Sequence, residues 1–162
     1  MSRQEERSTY PIMSADYNMV VGAAIQLSAR MGLGYTGTEH ALMVLCAPNS
    51  PGREAITRLG VDPNEVVRQI TIATGQSPAS PKRPPKDVQG VVVTQGLRTA
   101  MSHSISEALR TRSAEVTLDH LLAGLIRQGE GYAAGILAEN GLTEETLRER
   151  REALEDSTGT PA

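Results

Sequence analysis

The sequence contains no phenylalanine and no tryptophan, and four tyrosines are its whole stock of aromatic rings. Any core must therefore be aliphatic and fine-grained, with small residues where elements cross. A single cysteine, Cys46, excludes an internal disulfide and fits a reducing compartment. Lysine is almost missing: of sixteen basic residues, Lys82 and Lys86 are the two that are not arginine, and they fall in one short segment. No apolar run approaches the roughly 20 residues of a membrane span, and the polar start from Met1 to Ser8 has no resemblance to a signal peptide. A formal net charge of −3 gives no general pull toward nucleic acid or an anionic membrane. These absences predict a soluble, cytoplasmic protein with no nucleic acid and no membrane among its partners.

Two further absences bear on chemistry. A phosphate-gripping loop of the form G-x-x-x-x-G-K-[ST] needs a Gly-Lys pair. Both lysines follow proline, so ATP hydrolysis by this chain alone is not expected. No Ser, His and Asp stand in a catalytic motif, and neither His40 nor His120 has a second metal ligand at helical spacing. The expectation is a protein that is no enzyme and holds no metal and no cofactor. Cys46 reads as a small core residue on an apolar helix. Gly32-Leu33-Gly34-Tyr35-Thr36-Gly37 matches G-x-G-x-x-G in form, but a helix and not a strand precedes it, so it reads as a turn between helices.

What the chain does have is a repeat, in a length of 162 residues that suits one domain. Gly37-Thr38-Glu39-His40 opens an apolar run, and Thr117-Leu118-Asp119-His120 opens another eighty residues on. Ser14 and Thr94 have the same spacing, and each is a good N-cap for a helix. Behind them, Tyr17, Val20, Val21, Ala24 and Ser28 fall in register with Leu97, Ala100, Met101, Ser104 and Ala108 as inward faces. Thr38 is expected to cap the second helix, with Glu39 in its first turn, where a negative charge suits the helix dipole. A turn cluster, Pro48 to Gly52, leads to a short helix ended by Gly60. Asp62 then caps a fourth helix, with Pro63 at its first position and Glu65 closing a capping box. After one inserted residue between Gln128 and Tyr132, Gly141 and Thr143 match Gly60 and Asp62, and the last helix is expected over 144–154. The predicted layout is a lead 1–13, a first repeat 14–75, a Pro-rich linker 76–93, a second repeat 94–155 and a tail 156–162. The fold class is all-α, eight helices in two pseudo-symmetric groups of four, with Val91-Val92-Val93 an extended run laid against the first unit.

These residues carry a resemblance over about 8–155. The arrangement is similar to the double Clp repeat, the N-terminal domain of Clp-type AAA+ unfoldases. The family's Gly-Thr-Glu-His turn stands to the letter at Gly37-Thr38-Glu39-His40 and departs at three of four positions in the second copy. The resemblance implies a stand-alone, non-catalytic binding module without ATPase modules, serving as accessory or decoy to a Clp protease. The alternatives are an isolated N-terminal fragment of a full-length Clp ATPase, or a scaffold turned to enzymatic or nucleic-acid work. It implies Clp components, adaptors and substrate peptides as partners. In similar domains the Glu receives the guanidinium of phosphorylated arginine, while the start of the repeat's first helix takes the phosphate. Carried over by position, this pairs Ser14 with Glu39 and Thr94 with Asp119. Actinobacterial relatives bind cyclic peptide antibiotics in a groove just before those first helices, whose counterparts are Tyr10, Met13 and Val93. Limited proteolysis should cut first within 76–88, as mass spectrometry of the fragments would show. First cuts inside either repeat would contradict the two-unit layout.

Overall fold

A computed structural model describes residues 10–78 and 90–158, which leaves the chain ends and the proline-rich centre of the linker outside the described residues. Ser14 accepts the amide hydrogen of Tyr17 at 3.1 Å, after strand β1 (Ile12–Met13), and starts helix α1 (Ala15–Arg30). Strand β2 (Tyr35–Thr36), helix α2 (Thr38–Leu45), helix α3 (Gly52–Arg58) and helix α4 (Pro63–Thr74) complete the first unit. The second unit repeats the series: β3 (Val92–Val93), α5 (Gln95–Arg110), β4 (Glu115–Val116), α6 (Leu118–Gln128), α7 (Tyr132–Glu139) and α8 (Glu144–Thr158). Thr94 caps α5 as Ser14 caps α1, accepting from the amide of Leu97 at 3.2 Å. The protein is all-α, with eight helices among the described residues, as the repeat predicts.

The backbone keeps the repeat even where the residues do not. Gly32 after α1 sits in the left-handed region at φ 77°, and its counterpart Arg112 adopts φ 55° although its Cβ makes that conformation costly. Gly60 and Gly141, at φ 80° and 82°, end α3 and α7 alike. Where the halves differ, a local cause is visible. Helix α2 stops at Leu45, shortly before Pro48, whereas α6 meets no proline and runs to Gln128.

Three details depart from the expected caps and ends. Gly37, and not Thr38, is the N-cap of α2, because the ring of His40 reaches back to the Gly37 amide and Thr38 becomes the first helical residue. Asp62 caps α4 through the Asn64 amide, but Glu65 turns to Arg68 at 2.5 Å instead of closing the box. The last helix continues to Thr158, beyond the expected 154, since no glycine or proline interrupts its Glu- and Arg-rich run before Gly159.

The two units are interlocked by exchange. β1 of the first unit pairs in parallel with β4 of the second, Met13 opposite Val116; β2 of the first pairs with β3 before the second, Thr36 opposite Val93. The hydrogen bonds repeat about a pseudo-two-fold axis: Ser14 N–H donates to Val116 O and Thr94 N–H to Thr36 O, both at 3.0 Å. The extended run at Val92 is thus laid on the first unit, as its sequence suggests. The fourth helices cross over as well. Asn140 at the end of α7 donates to Gln69 of α4 at 2.7 Å, and Arg150 of α8 donates to the carbonyl of Leu59 at the end of α3. Tyr17, Leu42, Leu45, Ile56 and Ile70 from one unit meet Leu97, Leu121, Leu125, Leu137 and Leu142 from the other in one fully buried aliphatic core. Burying each such side chain is worth about 1.5–3 kcal/mol, so the units stabilise one another through this shared core.

A tight helix crossing lies at Gly124 of α6. A methyl there would collide with the carbonyl of Ala100 and stand 2.6 Å from the Ser104 hydroxyl on α5. The counterpart in α2 is Val44, so the first unit's helix pair does not share this constraint. Gly124→Ala should therefore cost about 1–3 kcal/mol by overpacking. Gly22→Ala, where nothing lies within 4 Å, should gain about 0.5–1 kcal/mol. Urea denaturation of the two variants checks the pair; equal stabilities would contradict the close approach of α5 and α6.

Candidate binding site at the two helix starts

Each repeat places an acid and a histidine in the first turn of its second helix, and the histidine builds the turn. His40 is fully buried; its Nδ1 accepts the Gly37 amide hydrogen at 2.9 Å and its Nε2 faces Gln76 Oε1 at 2.8 Å. These partners fix the neutral tautomer with the proton on Nε2. His120 repeats the motif, accepting from the Thr117 amide at 2.9 Å, with Thr111 Oγ1 at 3.3 Å from its Nε2. Burial holds both rings below the ordinary histidine range, and Arg151 pushes His120 further down. The two histidines are thus structural groups bonded to neighbours, as their positions suggest. Among the described residues no cluster of three His, Cys, Asp or Glu side chains could hold a metal. Cys46 is likewise a core residue, its thiol pushed up to about 12 by burial.

The acids beside these histidines differ sharply. The Glu39 side chain is 8% exposed and folds back over the backbone of Gly37. A methyl on Gly37 would stand 2.5 Å and 2.8 Å from its two carboxylate oxygens, so glycine is what admits this pose. The nearest ionisable group is His40 Nδ1 at 3.8 Å, which is spent on the Gly37 amide; no hydrogen bond joins the carboxylate to another described residue. Asp119 is exposed instead, since Thr117 carries a side chain where Gly37 has none. Its backbone carbonyl accepts from the Arg151 guanidinium at 2.6 Å, which also lies 3.8 Å from Glu107. Arg151 stands where the first repeat has the buried Ile70.

The structure pairs the helix starts crosswise. Thr94 is hydrogen-bonded to Thr36 and so belongs with Glu39, while Ser14 is bonded to Val116 and belongs with Asp119. The positional pairing of Ser14 with Glu39 and of Thr94 with Asp119 is therefore corrected. Strand exchange is the cause, because each first helix is threaded past the other repeat's acid turn. Tyr10 is 70% exposed, while Met13 and Val93 are half-buried strand residues packed on the core. Around the start of α5, sequence reading missed Gln128. Its amide lies beside Gly96, whose absent side chain leaves it room, and near Gly131, and its Oε1 is buried without a partner among the described residues. The insertion next to Gln128 is the one sequence signal that this turn differs from its mate.

Fold and site together define a duplicated all-α domain in which two interlocked repeats present two acid-bearing helix starts. Residues 92–159 match the family model for the Clp repeat (R) N-terminal domain. The chain is 26% identical over 134 residues to the chaperone protein ClpB of Oceanobacillus iheyensis, and 26% identical over 132 residues to the negative regulator of genetic competence ClpC/MecB of Bacillus subtilis. Each alignment takes in 81% of this chain but 16% and 15% of those relatives, so the chain spans about a sixth of their length. Solved structures agree on the fold. The N-terminal domain of ClpD from Arabidopsis thaliana superposes with a TM-score of 0.61 at 10% identity, over 89% of this chain and 94% of that one. A chain from a malarial protein secretion system gives 0.72 at 18% identity, over 90% and 97%. The chain thus has the fold of the solved Clp N-terminal domain, and its second repeat matches that family's model.

The histidines set a pH response. Both are held neutral in the folded state, with folded values below the unfolded one near 6.5. The unfolded chain binds the extra proton first, so stability is full above pH 6.5. It falls as pH drops toward the depressed folded values, by at most about 1.4 kcal/mol per pH unit for each ring. Melting temperature should therefore decline between pH 7 and 5, and His40→Gln should flatten part of that decline. A level profile in the parent protein would contradict the neutral, amide-accepting rings.

Proposed function

We propose that the chain is a binding module of the Clp type, which captures guanidinium-bearing ligands, phosphoarginine-tagged substrates foremost, at the Glu39 turn. The observation that supports this reading is the unpaired, nine-tenths-buried carboxylate of Glu39 at a helix start. A buried carboxylate without a cation is costly, and a guanidinium fork entering the turn recovers that cost through paired, charge-assisted hydrogen bonds. The phosphate is then taken by the free amides at the start of α5, capped by Thr94, while the buried Oε1 of Gln128 is an acceptor left for an N–H of the guanidinium. The Asp119 turn, grouped with Ser14, is the weaker of the two. Its acid is one methylene shorter and exposed, and Arg151 already brings a positive charge to it.

Adaptors, substrate peptides and Clp protease components are the partners this reading implies, with the chain acting as an accessory or decoy. A second reading is favoured by the short alignment against the curated relatives: the same domain is the N-terminal part of a full-length Clp ATPase. Cyclic peptide antibiotics fit less well, because Met13 and Val93 are engaged in the exchanged strands and Tyr10 projects outward.

Calorimetric titration with phosphoarginine tests the site. Glu39→Ala should weaken binding by tenfold or more, a loss of about 1.4 kcal/mol or above, while Asp119→Ala should change it by no more than about twofold. Equal effects, or none from either, would remove the Glu39 site.

A further inference from the structure

A second surface stands apart from the helix starts. Helices α4 and α7, one from each repeat, leave an open groove of about 570 Å³ between them. Its walls are Ile72 and Ala73 on one side and Tyr132 and Ile136 on the other, with Gly135 on its α7 wall and Glu139 at its rim. Ile72 is 68% exposed and Tyr132 49%, a large apolar display for a chain with so few rings. A side chain at Gly135 would meet nothing within 4 Å, so the space above it is free.

Among the described residues the charge around the groove has one sign. Glu139 lines it, Glu130 precedes Gly131 at its end, both are exposed, and neither is in an ion pair among the described residues. No lysine or arginine among the described residues lines it, and Arg68 on α4 is held by Glu65 at 2.5 Å. The pseudo-two-fold mate is built otherwise. Glu54 and Arg58 stand where Gly135 and Glu139 stand, and they pair with each other at 2.6 Å, while Ala153 replaces Ile72. The groove therefore occurs at one of the two pseudo-equivalent helix pairs, and symmetry of the fold does not account for it.

We propose that this groove docks a segment of a partner protein in which a Leu- or Ile-sized side chain enters between Ile72 and Tyr132 over Gly135, flanked by Lys or Arg that meet Glu130 and Glu139. The partner chemistry is amphipathic and basic, the complement of an apolar floor with an acidic rim. The site is separate from the Glu39 turn and does not depend on phosphoarginine.

Fluorescence anisotropy with two synthetic peptides of about a dozen residues tests it. One carries leucines at helical spacing among lysines, which offer the Glu39 turn no guanidinium; the other has glutamate in place of each lysine. The basic peptide should bind the parent protein, with its affinity lowered about tenfold or more by Gly135→Leu and by the exposed double change Glu130→Lys with Glu139→Lys. Glu39→Ala should leave it unchanged, which separates this groove from the proposed ligand site. Equal binding of both peptides, or binding indifferent to both groove variants, would overturn the proposal. So would a concentration-dependent dimer in sedimentation that the groove variants abolish, since the groove would then belong to a second copy of the chain.

Discussion

The hydrogen bond from a backbone amide to the ring of a histidine three residues on, made at Gly37 and again at Thr117, is the constraint around which the rest is arranged. It settles several things at once. It satisfies an amide that a helix start would otherwise leave without a partner. It holds the ring as the neutral tautomer, which requires a second partner on Nε2, supplied by Gln76 after α4 in one half and by Thr111 after α5 in the other. It thereby ties the start of the second helix to a remote segment of its repeat. The acid between amide and ring makes no bond in the cap.

That same turn explains how two copies of one design came to differ. With no side chain at Gly37, the neighbouring carboxylate lies back on the backbone and is covered. With threonine at 117 the carboxylate stands in water, and an arginine has taken the place of a core isoleucine close by. One substitution at the cap thus separates a largely buried carboxylate from a solvated one. Electrostatic interactions are far stronger in the first environment, so duplication of the fold does not imply duplication of the site.

Much of the architecture was legible in the residues. A spacing of eighty recurs in caps, glycines, acids and histidines, and such coincidence of independent signals specifies helices reliably because each signal has its own physical cause. The inward faces read from Tyr17 to Ser28 and from Leu97 to Ala108 are the faces that pack. The crosswise pairing of the helix starts was not legible. It rests on strands of two residues, too short for any alternation to show, and on bonds between positions a hundred residues apart, such as Ser14 to Val116. The covering of Glu39 was within reach, since Gly37 against Thr117 is a visible difference whose steric consequence follows from a missing Cβ. The role of Gln128 was not, because nothing in an isolated glutamine says that Gly96 and Gly131 will make space beside it.

Interlocking has a consequence for how such a domain can change. The strand that precedes each first helix is held by the other repeat, and each fourth helix is bonded to the end of the other repeat's third, through Asn140 with Gln69 and Arg150 with Leu59. Neither unit can shift without breaking hydrogen bonds at both ends of the pseudo-symmetry axis, and neither can bury its aliphatic face alone. The frame is therefore kept by pairs of contacts, whereas the surfaces between them occur singly. A change at Gly37 or Ile72 alters one copy of a surface and leaves its mate and the shared core untouched. That separation lets one copy of each surface become an enclosed acid or an open apolar groove while its mate carries an exposed acid or a charge pair, at little cost to the fold that carries both.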